Sequence, residues 1–531
     1  MIVGFSIFVG CEKQDEIIPE DSIADTEDFA PEGKMMILGK QLENPYSVEN
    51  MKKALKNVSL KSGTVGDIDI STTDLYVRFL PSDSLEYEAL ASDTTLELFD
   101  YPLDFEIEQE GNWYHDPSIP DHLPTYQYTV VKPSYQFPDT INYEILAELF
   151  IPAEVDDEET DVDANLKSTY SIDFWDELED EALRITDNWE EIEPVTEGMR
   201  LNGRRSKWNP SGKIQVRERH GGVNRGYIPV ENIKVRVRRW FTIKTDYTDY
   251  KGDYRISHRF RRPVNYSVKF ETPYAKISNW IGWDTRHDGP KRKDPWNVNF
   301  DWHSKSWVRA TLINAIVEYR VQYHRTGIQN PYPISYWAGG EAVNKLNVRA
   351  AFKEGTGSMF ALRANNIKIF SKFTRGRGNK ETDDLYAITF HELGHQSHWK
   401  LTKWNITWSK KIVRESWADF IEHTFIQQYY PNYVTIWGTH KQDDTQSEMS
   451  DGYSAIFIDL VDNENQRNTR GHAGSTNYPD DKVSGYTISQ LQNALEESRK
   501  LEHVRDYLRD KYRNSTEEHL DDLFDFYIDI Q

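Results

Sequence analysis

The stretch Ile388-Thr389-Phe390-His391-Glu392-Leu393-Gly394-His395-Gln396-Ser397-His398-Trp399 decides how the rest of the chain reads. At 3.6 residues per turn, His391 and His395 stand one above the other on a helix, so both imidazoles can reach a single point. Glu392 lies one step round, where it can hold a water beside that point. The residue types suit a divalent ion. Zinc takes neutral imidazole nitrogens at about 2.0–2.1 Å and, where it is catalytic, keeps one position open. Two histidines do not complete such a site, and the pattern alone also arises by chance on solvated helix faces. A third ligand must come from another element.

Arg414-Glu415-Ser416-Trp417-Ala418-Asp419-Phe420 supplies the candidate. Glu415 follows His395 by about one helix-turn-helix connection, and Asp419 follows Glu415 by one turn, so both carboxylates share a face of a second helix. A solvated acidic face is the plain alternative. With both segments in hand, the chain resembles the gluzincin class of metallopeptidases over the stretch from His391 to Asp419. That resemblance implies that His391, His395 and Glu415 bind Zn2+ and that Glu392 is the general base. It also implies that Asp419 hydrogen-bonds the outer nitrogen of His391, as a carboxylate behind a ligand fixes the ring's tautomer and orientation. His398 continues the face one turn beyond and reads as structural or substrate-facing. A metzincin pattern is excluded, because it needs Gly at His398 and His at Leu401.

Working outward, the catalytic region is expected over 298–531 as an α+β zincin-like domain rich in helices. Trp307, Thr311, Leu312, Ala315, Ile316, Tyr319 and Tyr323 recur at helical spacing, which predicts an amphipathic helix over 304–324 backing a sheet. Strands are expected at 348–352, 359–362 and 367–373, the last of them near the cleft, where an edge strand above the active helix would pair with extended substrate. Thr382 or Asp383 is expected to cap the active helix. Downstream, a helix is expected over 411–429 and a short one within 452–460. Two closing helices should start at the capping-box patterns Thr487-Ile488-Ser489-Gln490 and Ser515-Thr516-Glu517-Glu518. A second stabiliser of an oxyanion should come from Tyr453, His472, Tyr478 or Tyr486, which the sequence does not rank.

The chain has 531 residues and a formal charge of −24, long enough for several domains and too acidic as a whole to suggest nucleic acid as a partner. Its single cysteine, Cys11, excludes an intrachain disulfide and follows a short apolar run. That run resembles the end of a bacterial lipoprotein signal, with 1–11 as its remnant. The resemblance implies a lipid on Cys11 and a place on the outer membrane or cell surface, as in surface lipoproteins of Bacteroidota. A free thiol in an apolar N-terminus is the plain alternative. Residues 12–34 read as an acidic tether. Residues 35–153 read as a β-rich α+β domain, with strands near 75–80 and 126–131 and one helix over 48–57.

Residues 154–203 are expected to form an acidic linker, with 17 acidic residues between Glu154 and Glu193. From Arg204 to Arg262 the sign reverses, with 17 Lys or Arg. In Ile233-Lys234-Val235-Arg236-Val237-Arg238 apolar and basic residues alternate strictly, as in a half-buried strand with a solvated basic face. The two charge blocks facing each other across a domain junction, or a basic face for an anionic glycan, are the alternatives. Residues 204–275 read as a β-sandwich, and Thr248-Asp249-Tyr250-Lys251-Gly252-Asp253-Tyr254 resembles the turn and strand of carboxypeptidase-regulatory-like domains, with Gly252 at positive φ. The whole is a multidomain chain. Its expected activity is zinc-dependent hydrolysis of a peptide, protein or glycoprotein. The alternative is a non-catalytic glycan- or protein-binding surface lipoprotein on a zincin scaffold.

Overall fold

The computed structural model describes residues 9–10, 34–62, 68–152, 172–188, 207–279, 282–331, 345–355, 357–359, 366–402, 406, 408–434, 452–469, 472–473 and 475–528. Cys11 and nearly all of the tether, as well as both flanks of the acidic block, lie outside them. The chain is multidomain, with a β-rich N-terminal part built of several sheets and a helical C-terminal part. No described helix is long and apolar enough to cross a membrane.

After β1 (Val9–Gly10), the N-terminal region contains β2 (Ile37–Gln41), α1 (Val48–Ser62), β3 (Asp74–Leu80), α2 (Ser84–Ala91), β4 (Phe105–Gln109), β5 (Gln127–Val131) and β6 (Asn142–Leu149). β3 is the centre of an antiparallel sheet in the order β5–β3–β6, and β2 pairs with β4. Within the stretch read as a linker, α3 (Ile172–Ile185) is a docked helix. Leu178 and Ala182 are buried against Met51 and Ala54 of α1. The charge run masked their helical spacing.

The middle strands are β7 (Ser211–His220), β8 (Val223–Pro229), β9 (Lys234–Arg239), β10 (Thr242–Tyr247), β11 (Asp253–Arg255) and β12 (Val264–Lys269), followed by β13 (Ala275–Ser278), β14 (Arg286–Arg292) and β15 (Val298–Phe300). One sheet runs β10–β9–β12–β14, and a second runs β11–β7–β15 with β8 on β7. Ile214 and Val216 from one and Val235, Val237 and Val268 from the other share a core. The Asp249 turn forms as expected: Gly252 has φ +76°, and a Cβ there would meet the Ile214 carbonyl oxygen at 2.4 Å.

The basic face of β9 is not solvated. Lys234, Arg236 and Arg238 are buried under the N-terminal region. Lys234 pairs with Glu97, Arg236 donates to the Leu98 carbonyl at 2.8 Å, and Arg238 donates to the Leu103 carbonyl at 3.1 Å. Strict alternation shows that two faces differ, but not what covers the second one. The β9–β10 turn joins the same contact. Trp240 adopts φ 49°, which costs roughly 1–2 kcal/mol for a non-glycine. Burying Trp240 and Phe241 among Tyr46, Tyr76 and Tyr128 offsets this, at about 1.5–3 kcal/mol for each large apolar side chain.

The acidic and basic blocks do face each other. Arg261 pairs with Asp176 at 2.7 Å and Glu179 at 2.9 Å, and Arg262 pairs with Asp180. Burial opposes the Glu179 charge, yet Arg262, Arg239 and Arg261 hold its carboxyl down at about 2. Removing one partner of a buried pair leaves the other charge uncompensated. Arg262→Met is therefore expected to lower the unfolding free energy by about 3 kcal/mol in urea titration, because Arg262 is 1% exposed. A loss below about 0.5 kcal/mol, the range of exposed pairs, would contradict this.

The C-terminal region adds α4 (Lys305–Thr326), β16 (Leu346–Glu354), β17 (Gly357–Met359), β18 (Asn366–Lys372), α5 (Thr382–Thr402) and α6 (Lys411–Tyr429). Its sheet has the order β1–β17–β18–β16–β13, with β13, β16 and β18 parallel and β17 antiparallel to β18. β18 is thus not the edge strand: β17 lies outside it, and β1 pairs with β17 in turn. α4 is buried nearly all round rather than amphipathic, and the Ser304 hydroxyl caps it by accepting from the Trp307 N–H at 3.0 Å.

Beyond α6 come α7 (Ile456–Asp459), α8 (Gln466–Thr469), α9 (Ile488–Glu497), α10 (Leu501–Lys511) and α11 (Leu520–Ile528). The Thr487 capping box forms with Gln490. The second pattern makes no such box. Thr516 bonds Ser484 and Asn514 instead, a single 3-10 turn follows, and three helices rather than two close the chain. One core runs from Ile214 through these helices to Tyr527.

Candidate metal centre

α5 carries the decisive stretch, and its start is held from three sides. The Asp384 carboxylate reaches back to accept the Glu381 N–H at 2.8 Å, and Asp383, one of the two expected caps, accepts the Asp384 N–H through Oδ1 at 3.1 Å. Thr382 does not cap; its hydroxyl accepts the Arg219 N–H from β7 at 2.9 Å. The Gly222 N–H donates to Glu381 at 2.8 Å. Along the helix, the Tyr319 hydroxyl of α4 donates to the Leu393 carbonyl at 3.1 Å.

Burial pushes the Asp384 carboxyl up to about 7, helped by the charge of Asp383, which burial lifts to about 6. An acid whose folded pKa is raised binds its proton in the native state over a window where the unfolded chain has released it. Stability should then fall as pH rises from about 4 to about 7, and level off above. Asp384→Asn is expected to flatten that slope and to stabilise the protein at pH 8 by on the order of 1–2 kcal/mol, discounted because the side chain keeps some solvent contact. Thermal melts of both proteins across that range check it.

α6 packs directly on α5. Gly394 permits the approach: a Cβ there would lie 3.2 Å from the Cα of Ala418 and 3.2 Å from the Cβ of Ile421. This closeness lets short carboxylate arms on α6 reach the histidines. Glu415 Oε2 lies 3.1 Å from His395 Nε2 and 3.6 Å from His391 Nε2, so the two imidazoles and one carboxylate converge. The two rings stand nearly perpendicular, with centroids 4.8 Å apart. On the far side of His391, Nδ1 is 3.0 Å from Asp419 Oδ1 and 3.3 Å from Glu422 Oε2.

All these side chains are buried, and Glu392 and Glu415 are 0% exposed. Burial opposes the charge on Glu415, but His395 and His391, which bond it, hold its carboxyl well below the usual range. The donor atoms of His391, His395 and Glu415 lie within 4.8 Å of one another. Two imidazole nitrogens and a carboxylate meeting at one point are a set suited to a divalent metal. Charge supports the fit. Glu392, Glu415, Asp419 and Glu422 place four buried carboxyl groups around two histidines, an acidic setting that a bound cation would suit. The cluster is a buried His-His-Glu group able to hold a metal ion.

The residues expected from the sequence therefore meet: His391, His395 and Glu415 at one point, Asp419 behind His391, and Glu392 beside His391 on the same helix. His398 is buried, with no hydrogen-bond partner on either ring nitrogen among the described residues, and burial, then His395 and Arg414, push it down to about 3. It does not join the ligand cluster. Of the four oxyanion candidates, Tyr453 adjoins Ser454, whose hydroxyl bonds that of Ser416, the neighbour of Glu415, at 2.7 Å. His472 and Tyr478 stack on each other, and Tyr486 is buried toward Glu517 and Arg509. Glu422, which the sequence motif does not single out, follows Asp419 by three residues and so shares its helix face. A separate cleft of about 540 Å³, lined by Ser211, Lys213, Asp253 and Arg255, lies on the sandwich. Its lining includes none of these residues.

No known family model matches the sequence, and curated proteins give no match.

Proposed function

We propose that the protein is a zinc-dependent metallopeptidase, on the observation that His391, His395 and Glu415 converge on one point with Glu392 on the adjacent helical position. His391 and His395 would hold the ion through Nε2, and Glu415 through its carboxylate. Zinc bound there would supply Lewis acidity toward a carbonyl and lower the pKa of a water to near 7. Glu392 takes the proton of the attacking water and later passes it to the leaving amine, so one carboxylate serves both steps. Asp419 holds the His391 ring with Nδ1 outward. Tyr453 is our candidate for the donor that steadies the carbonyl oxygen.

We further propose extracellular protein or glycoprotein as substrate, with the chain held at an outer membrane or cell surface through a lipid on Cys11. Glu392 has no exposed surface. That burial is the observation favouring the second reading, a binding protein that retains the scaffold without hydrolysis. Incubating the full chain with a peptide library and reading products by mass spectrometry separates the two. Cleavage that a chelator stops supports the peptidase, and zinc-loaded protein that cleaves nothing supports the binding protein.

A further inference from the structure

The Asp419 role leaves one contact unexplained. His391 Nδ1 can carry a single proton toward α6, yet two carboxylates face it, Asp419 at 3.0 Å and Glu422 at 3.3 Å. The two lie three residues apart on α6, so one helix face aims both at the same nitrogen. Both are buried, Asp419 at 1% and Glu422 at 5% exposure.

We infer that Glu422 is a second positioning residue for His391, sharing the Nδ1 proton with Asp419, so that Nε2 stays deprotonated, faces the metal point and binds the cation more tightly. This rests on the zinc-site reading above. Two anions behind one imidazole make it a stronger donor than one does, and they raise the negative potential at the ion without occupying any of its coordination positions. In this reading Glu422 acts through the His391 ring, although His391, Asp419 and Glu422 also form a group that could hold an ion of its own.

The test measures zinc affinity by competition with a chromophoric chelator, together with zinc stoichiometry and the melting temperature of the metal-free form. The proteins are the full chain, Glu422→Gln, Glu422→Asp, Asp419→Asn and the Asp419→Asn/Glu422→Gln pair. Glu422→Gln keeps the side chain's size and is expected to weaken zinc about ten-fold or more, with one ion per chain and little change in the metal-free melt. Glu422→Asp, which keeps the charge, should recover part of that loss. The pair should lose less than the product of the two single losses, because both residues serve one nitrogen. A merely structural residue would lower the melt and leave zinc affinity where it was. Unchanged affinity in Glu422→Gln, with wild type loaded, overturns this inference alone. So do two ions per wild-type chain, which would make the carboxylate pair a second metal site. A wild type that takes up no zinc overturns the proposed function itself.

Discussion

Glu392→Gln is expected to cut peptide hydrolysis by about 10³-fold while zinc binding stays within a few-fold of wild type. Gln keeps the shape of the side chain and its place on α5 but cannot accept and return a proton. Glu392 is not among the converging ligand atoms, so its loss should not empty the site. Steady-state cleavage of a peptide found in the library, paired with metal analysis of the same sample, gives both numbers. Full activity in Glu392→Gln would remove the general base from the mechanism. Loss of zinc along with activity would make Glu392 a ligand.

Glu415→Gln should have the opposite signature, with zinc affinity falling by about 10³-fold or more, beyond the 10–100-fold carried by partners behind the ligands. One Glu415 oxygen lies within 3.1 and 3.6 Å of the two Nε2 atoms, so no other described carboxylate stands in the same place. A neutral amide there is a poor partner for a divalent ion and leaves two imidazoles, too few for a stable zinc site. Isothermal titration of metal-free protein measures the change. An affinity within ten-fold of wild type would mean that the third ligand is another residue.

Much of this site was legible because metal chemistry imposes periodicity. His391 with His395, and Glu415 with Asp419, each repeat at one helical turn, and the helix over 411–429 has the bounds expected. Gly394 inside the motif carries a constraint the sequence does not display. Only with α6 packed against α5 is a side chain at that position seen to be crowded by Ala418 and Ile421. The same limit explains β9. Alternation of Val and Lys or Arg was read correctly as two unlike faces, but the solvated reading assumed that nothing with acidic groups and spare carbonyls lay over the second. Glu97, Leu98 and Leu103 lie there, more than a hundred residues earlier. α3 was hidden for a related reason, since its acidic residues turned out to be partners of Arg239, Arg261 and Arg262 rather than a sign of an extended linker. The strand expected at 359–362 meets the observed β17 (Gly357–Met359) only at Met359, and β1 beyond it is two residues long, too short to register as a pattern.

The measurement that bears most directly on the account is the metal content of the full chain after reconstitution with zinc and removal of the excess. One zinc per chain is predicted, falling to near zero in Glu415→Gln and staying near one in Glu392→Gln. A wild type that retains no zinc, or retains it equally in Glu415→Gln, would contradict the assignment of His391, His395 and Glu415 as the metal centre.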